Sequence, residues 1–96
     1  MSDSFFKAIA DANRRKILTL LRKGGTLPVN EIASHFQISL PALSEHLKIL
    51  RNAGLITSRK EKQFVFYTLN TSVFEDLASW ITNMINKQEE IKDETK

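Results

Sequence analysis

One stretch of the sequence decides the fold: residues 38–56 read ISLPALSEHLKILRNAGLI. Its leucines recur at the three- and four-residue spacing that gathers them on one helix face, at Leu40, Leu43, Leu47 and Leu50. Ser39 is a favoured N-cap residue directly before this pattern, and Gly54 is a favoured terminator after it. The stretch predicts an amphipathic helix over residues 40–53 whose leucines face the protein body.

A shorter apolar pattern precedes this helix. It spans residues 29–36 with apolar side chains at i, i+3, i+4 and i+7, and Pro28 stands where a helix can begin without a backbone donor. Gln37 and Ile38 leave room only for a tight turn between the two helices. Such a pair is typical of a helix-turn-helix, whose second helix enters the DNA major groove.

The flanking segments complete the predicted architecture. Apolar spacing and β-forming residues predict helices over 4–10 and 12–23, strands over 56–59 and 63–69, and a last helix over 72–87. Asp11 is a favoured N-cap residue for the second of these helices. The turn between the strands, residues 60–62, is charged. The fold class is therefore mainly α with a small β-hairpin, in the order α-α-α-α-β-β-α, a winged helix-turn-helix. Residues 1–87 form a single domain, and the polar residues 88–96 are expected to fray.

The composition excludes several classes of protein. The chain has 96 residues and no cysteine, which excludes disulfides, thiolate metal sites and cysteine nucleophiles. No apolar run approaches the roughly 18 residues of a membrane span, and the first residues lack the pattern of a secretion signal. No glycine-rich phosphate loop or catalytic motif occurs, which excludes an enzyme. We expect a soluble cytoplasmic protein without membrane insertion.

The charges are divided along the chain. The net charge is +3, but residues 7–62 carry 11 Lys and Arg against 4 Asp and Glu, a net charge of +7. Residues 63–96 carry 3 Lys against 6 Asp and Glu, a net charge of −3. This division favours a polyanion-binding surface on the first part of the chain.

The predicted recognition helix and hairpin supply the candidate DNA-binding residues. Residues near a recognition-helix start reach base edges, and here they are Ser39, Pro41, Ala42, Ser44 and Glu45. Basic and polar residues further along are expected at phosphates: Lys48, Arg51, Arg59, Lys60, Lys62 and Gln63. The simpler alternative is a surface helix with a solvated polar face beside a solvated turn.

Residues 38–56 resemble the recognition-helix signature of the arsenic-repressor (ArsR) family of bacterial transcription factors, Ser-x-x-x-x-Ser-x-His-Leu-x-x-Leu-x-x-Ala-Gly-Leu-Val/Ile. Residues 11–18 are similar to the family's opening motif, and residues 63–69 are similar to its aromatic wing strand. The resemblance covers about residues 3–86. Within the family, residues 5–9 and 67–71 look most like the SdpR-like autorepressor group.

The resemblance implies a homodimeric repressor that binds double-stranded DNA at an operator of two-fold symmetry. The family dimerises through its first and last helices, and helix 72–87 is too apolar to cover one small body only. The implied dimer surface consists of Phe5, Phe6, Ile9, Val73, Leu77, Trp80, Ile81 and Met84. The alternative for Trp80 is that it caps its own core. The resemblance also implies autoregulation and a membrane protein that sequesters the repressor.

Three positions of the signature leave their roles open. His46 matches the family motif and is expected to bond a phosphate or a nearby backbone group. Glu45 stands where a basic or polar residue is common, and it either accepts from cytosine N4 or pairs with an Arg or Lys of its own chain. Lys62 stands where close relatives commonly have glycine, and a bulky residue adopts positive φ only at a cost. The wing turn type therefore stays open.

Metal sensing, common in this family, is not expected here. The family's metal sites use cysteines on the third helix or His, Asp and Glu sets on the last helix. Helix 72–87 has Glu75 and Asp76 but no histidine, while His35 and His46 lie on different helices. Since borderline soft metals prefer thiolate or imidazole ligands, we expect no metal site and no cofactor. The rival to a DNA-binding repressor is a winged-helix protein-interaction adaptor without sequence-specific DNA binding.

Overall fold

A computed structural model describes residues 3–86, so the predicted tail 88–96 lies outside the described residues. The elements along the chain are α1 (Asp3–Ile9), α2 (Ala12–Gly24), β1 (Leu27–Pro28), α3 (Val29–Ala33), α4 (Leu40–Asn52), β2 (Ile56–Glu61), β3 (Phe64–Leu69) and α5 (Thr71–Ile85). The predicted fold class, mainly α with a β-hairpin, is confirmed. The helix-turn-helix consists of α3 and α4, and β2 with β3 forms the wing.

The sheet has three strands rather than the predicted two. Leu27 and Pro28 form β1, which pairs antiparallel with β3 and gives the order β1-β3-β2. The predicted order α-α-α-α-β-β-α lacks this strand, because two residues that include a proline show no alternation. Next to β1, the hydroxyls of Thr26 and Thr68 lie 2.9 Å apart. The loop between α2 and α3 is thereby attached to the base of the wing.

Helix α3 ends three residues before the predicted helix over 29–36 does. The backbone N–H groups of His35 and Phe36 donate to carbonyls three residues back, each at 3.1 Å, which is a tighter turn than an α-helix. Lys16 lies against this turn: its Nζ donates to the His35 carbonyl at 2.6 Å and is 4.6 Å from the Phe36 ring centroid. Phe36 still packs against the core, so the apolar spacing continues beyond the helix.

The core is built around one row of leucines on α4. Leu43, Leu47 and Leu50 are buried, together with residues of α1, α2, α3 and β2. Each such side chain contributes roughly 1.5–3 kcal/mol on burial. Leu40 was predicted in the same row but is 66% exposed. It is the first residue of α4, and helical side chains lean towards the N-terminus, so Leu40 extends past the core.

The end of α4 is fixed by a Schellman motif. Gly54 has φ +81°, the Gly54 N–H donates to the Arg51 carbonyl, and the Leu55 N–H donates to the Leu50 carbonyl, both at 3.0 Å. The side-chain amide of Asn70 then donates to the Gly54 carbonyl at 2.8 Å. Because Asn70 directly precedes α5, this hydrogen bond attaches the start of α5 to the end of α4.

Asp11 caps α2 as predicted. Its carboxylate accepts from the backbone N–H of Arg14 at 3.1 Å, which pairs one of the donors that a helix start leaves free. This hydrogen bond holds the pKa of Asp11 below its ordinary value, and the nearby Arg14 guanidinium acts in the same direction. The ionised carboxylate is therefore the form that caps the helix.

The cap makes stability depend on pH. A carboxyl group whose pKa is lowered on folding stabilises the fold above its ordinary pKa of 3.8, and this is lost as the pH falls through the folded-state pKa. Asp11→Asn keeps a capping oxygen without a charge. From about pH 6 to about pH 3, the unfolding free energy of the wild type should fall relative to Asp11→Asn in urea denaturation. A constant difference contradicts an ionised cap.

Candidate nucleic-acid interface

Helix α4 turns its polar face to solvent because its leucine row is buried on the opposite side. The exposed side chains on this helix include six of the predicted DNA-binding residues: Pro41, Ala42, Ser44, Glu45, Lys48 and Arg51. Ser39 directly precedes them and is also exposed, but its hydroxyl oxygen accepts from the Ala42 N–H at 3.2 Å. Ser39 is thus the N-cap of α4, and its hydroxyl proton is available to donate elsewhere.

His46 has a partner that the sequence did not suggest. Its side chain is only 18% exposed, and Nδ1 lies 3.3 Å from Nη1 of Arg14 and 3.8 Å from Oδ2 of Asp11. The intramolecular neighbours of this nitrogen are therefore side chains at the start of α2 rather than a backbone group. His46 lies on the flank of α4 that faces the start of α2, so it belongs to the helix contact rather than to the exposed polar face.

Glu45 forms no ion pair with its own chain among residues 3–86. The ion pair found there joins Arg59 to Glu61, and the Asp11 carboxylate lies near the His46 ring. Of the two interactions expected for Glu45, the pair with an Arg or Lys of its own chain is therefore not formed in the described part of the chain. Its carboxylate remains exposed on the second turn of α4.

The wing adds a basic surface next to the end of α4. Arg59, Lys60, Lys62 and Gln63 are all exposed there. The Arg59 guanidinium lies 5.5 Å from the Phe66 ring centroid, and its Nε is 3.4 Å from the Glu61 carboxylate. Nη1 of Arg51 is 3.4 Å from the Ser58 hydroxyl. This contact places the last turn of α4 against β2, so the helix and the wing form neighbouring parts of one surface.

The wing tip is a two-residue loop with a strained lysine. Glu61 pairs with Phe64 across the hairpin, which leaves Lys62 and Gln63 as the loop. Lys62 has φ +58°, the only positive φ outside glycine among residues 3–86. Two-residue hairpin loops that match the strand twist need positive φ at their first residue. The hairpin thus imposes the conformation, and the turn type that the sequence left open has a left-handed residue at Lys62.

Two further residues of this region were not assigned a role from the sequence. Phe64 is exposed directly after the wing tip, with its ring centroid 6.4 Å from that of Phe66. Arg14 joins the start of α2 to His46 of α4 and to the end of α1. Arg14 was visible in the opening motif, but its partners are distant in sequence and only the fold brings them together.

A separate apolar surface lies on α1 and α5. Trp80 is 48% and Met84 is 59% exposed, and the Phe6 ring centroid lies 6.0 Å from that of Trp80. Other members of the predicted dimer surface are more enclosed: Ile9, Val73 and Leu77 pack against the core. Ile81 is exposed as predicted, and Ile85 extends the same surface by another turn.

Phe5 does not belong to that surface. It is 2% exposed and lies in the core, with its ring centroid 6.1 Å from that of Phe74. Neighbouring residues of a helix point in different directions, so when Phe6 faces outward Phe5 faces inward. Its assignment to the dimer surface is corrected accordingly.

Residues 3–86 contain no group of three or more His, Cys, Asp or Glu side chains placed to hold a metal ion. None of the helices in the same range has the length and apolar character to cross a membrane.

A helix-turn-helix with a basic hairpin beside its second helix defines a winged-helix DNA-binding protein. Residues 11–58 match the family model described as bacterial regulatory protein, arsR family. The chain is 49% identical over 85 residues to the transcriptional repressor SdpR of Bacillus subtilis, which covers 88% of this chain and 93% of that protein. It is 36% identical over 83 residues to an arsenical resistance operon repressor of Staphylococcus aureus, and this match covers 86% of this chain and 78% of that protein.

Solved structures agree with these sequence relatives. A crystal structure of an ArsR family transcriptional regulator superimposes with a TM-score of 0.81 at 26% identity, covering 91% of this chain and 89% of that one. HlyU from Vibrio cholerae superimposes with a TM-score of 0.69 at 37% identity, covering 84% of this chain and 87% of that one. The chain belongs to the ArsR family of bacterial regulatory proteins, whose members found here are transcriptional regulators and not enzymes. The predicted family resemblance is confirmed.

The strained wing tip gives a stability prediction. Lys62→Gly should raise the free energy of unfolding by about 1 kcal/mol, because glycine has no side chain to disfavour the left-handed conformation. Lys60→Gly is the matched control, since it removes the same side chain from an extended strand residue and should destabilise. Urea denaturation measures both variants. A Lys62→Gly variant less stable than the wild type contradicts strain at the tip.

Proposed function

We propose that this protein is a DNA-binding transcriptional repressor that acts as a homodimer on an operator of two-fold symmetry. The observation that carries the proposal is the division of α4 between a buried leucine row and an exposed polar face, with the basic wing beside it. A recognition helix needs this arrangement, because it must be held by the core while its polar face enters the major groove.

In this proposal the residues near the start of α4 read bases, and cations further along α4 and on the wing contact phosphates. Ser44 and Ala42 are exposed near the start of α4, and Glu45 has no partner charge within residues 3–86; these residues face base edges. Glu45 accepts from a cytosine N4 amino group in this proposal. Lys48, Lys60 and Lys62 are exposed cations, and they neutralise phosphates and set the register on the duplex.

The apolar surface of α1 and α5 supports the homodimer. Trp80, Met84 and Ile85 are large apolar side chains left exposed on a helix that otherwise packs on a small core. A second copy of the same surface, brought to it by a two-fold axis, buries them and sets two recognition helices about one duplex turn apart, roughly 34–36 Å.

The direction of regulation follows from the relatives. The 49% identity to a transcriptional repressor favours repression, and the likeness of residues 5–9 and 67–71 to the autorepressor group favours an operator upstream of the protein's own gene. We extend the proposal to a cytoplasmic repressor that does not sense metal, in keeping with a sequence that has no cysteine. Its release from DNA by a sequestering membrane protein rests on the same group resemblance.

A comparison of Ser44→Ala with Lys62→Ala tests the division between base reading and phosphate contact. The assay is a gel shift with the duplex upstream of the protein's own gene and with a random duplex of equal length, titrated with salt. Ser44→Ala should lower the preference for the upstream duplex by about 1 kcal/mol, or roughly fivefold, since a base contact is lost. The log–log salt slope should stay unchanged.

Lys62→Ala should give the opposite result. It should weaken binding to both duplexes to a similar extent and reduce the salt slope by about one, because one fewer phosphate is neutralised. Equal losses on both duplexes for Ser44→Ala would make Ser44 a phosphate contact. A wild type that shifts neither duplex at low salt would contradict DNA binding and favour the protein-interaction adaptor.

Trp80→Glu tests the dimer. The substitution removes the apolar contact of Trp80 and places one carboxylate from each protomer at the proposed interface. The variant should therefore sediment as a monomer where the wild type sediments as a dimer. Operator preference should fall, because two half-sites are no longer bound together. Ser79→Glu is the matched control, since Ser79 is exposed on the other side of α5. A dimeric Trp80→Glu variant would place the interface elsewhere.

A further inference from the structure

We propose that Arg14 is a positioning residue, which fixes the orientation of recognition helix α4 relative to α1 and thereby the operator spacing that the dimer accepts. The inference rests on the proposed homodimeric DNA-binding function. It concerns a side chain that is not on either of the two surfaces described above.

One guanidinium group joins three helices. Arg14 is in the first turn of α2, its Nε donates to the Ala8 carbonyl at 2.7 Å, and its Nη2 donates to the Lys7 carbonyl at 3.1 Å. These carbonyls belong to the last turn of α1, where a helix leaves carbonyls without their usual intrahelical donors; the Lys7 carbonyl also accepts from the Ala10 N–H at 3.3 Å. The third nitrogen, Nη1, lies 3.3 Å from Nδ1 of His46 on α4. The planar fork of arginine can serve three such acceptors at fixed angles.

The acceptor on α4 requires one form of His46. Nη1 of an arginine only donates, so Nδ1 must be unprotonated and the ring neutral, with its proton on Nε2. Asp11 lies nearby, at 3.8 Å from Nδ1, but its carboxylate already accepts from the Arg14 backbone N–H at 3.1 Å. Asp11 and Arg14 thus form one polar cluster, and α4 contacts this cluster through Nδ1 of His46.

Helix α1 needs this contact because it is short. It has seven residues, and Phe5 and Ala8 are its buried side chains. Those two side chains fix how deeply the helix sits, while the two hydrogen bonds at its end fix its direction. On its outer side Phe6 contacts Trp80 of α5. The same short helix therefore meets the proposed partner surface on one side and α4, through Arg14, on the other.

In a two-fold dimer a small rotation at α1 produces a large displacement at the DNA. Each recognition helix lies about 17 Å from the axis if the pair is one duplex turn apart. A tilt of about 10° then moves each helix by about 3 Å, close to the 3.4 Å step between base pairs. Loss of the link from Arg14 to His46 should therefore relax the spacing requirement before it unfolds the protein.

The test measures spacing preference rather than affinity alone. The probe is a duplex selected from random sequence by the wild-type protein, compared with versions that have one or two base pairs inserted at its centre. The wild type should prefer the selected spacing by about tenfold or more. His46→Leu, which keeps bulk but has no acceptor, should reduce this preference at least about threefold. His46→Asn should retain it, because its Oδ1 replaces Nδ1 as the acceptor.

Arginine variants provide the second arm and its control. Arg14→Lys keeps the charge but offers one compact donor group in place of a fork, so spacing preference should fall. Arg15→Lys is the matched control: the Arg15 side chain makes one hydrogen bond within residues 3–86, to the Ile9 carbonyl at 2.9 Å, and an ammonium can replace it. Circular dichroism and sedimentation report on fold and dimerisation for each variant. If His46→Leu does not fold, Arg14→Lys decides the question.

The outcomes separate the inference from the proposed function. A wild type with no spacing or sequence preference overturns the proposed function. A wild type with a clear preference that Arg14→Lys or a folded His46→Leu fully retains overturns the positioning role, whatever the loss of overall affinity. A preference lost in both variants and kept in His46→Asn and Arg15→Lys supports it.

Discussion

Burial of the leucine row on α4 is the constraint on which the rest of the structure depends. Leu43, Leu47 and Leu50 fill the centre of the core, so they fix the depth of the helix and its rotation about its own axis. The polar face of α4 is therefore directed outward. The same helix is the centre of the hydrophobic core and the centre of the candidate interface, which means that stability and recognition are set by one packing arrangement.

The elements that the sequence predicts well are those set by local interactions. The caps of Asp11 and Ser39 and the stop at Gly54 each depend on residues a few positions away, and all three occur as expected. The apolar spacing likewise located α4 and α5, since a helical period is a property of one segment. The class of fold and the exposed face of α4 follow from these features alone.

What the sequence could not show depends on contacts between distant segments. Strand β1 forms only because β3 lies beside it, and Leu40 is exposed because the core ends before the first turn of α4. Phe5 and Phe6 are adjacent and equally apolar, so nothing local distinguishes the buried ring from the exposed one. His46 carries the family's motif, yet its partner is 32 residues away. Such pairs are decided by packing, which periodicity does not report.

The basic residues of the wing also lie along the open edge of strand β2. In the sheet order β1-β3-β2 it is an outer strand, and among the described residues its other edge has no neighbouring strand. An open edge is a template on which another chain can add a strand and begin to aggregate. Residues 57–61 are all exposed, and Arg59 and Lys60 make that edge charged. The cations that we propose contact phosphates therefore also oppose edge-to-edge association of the free protein, so neutralising them should lower its solubility.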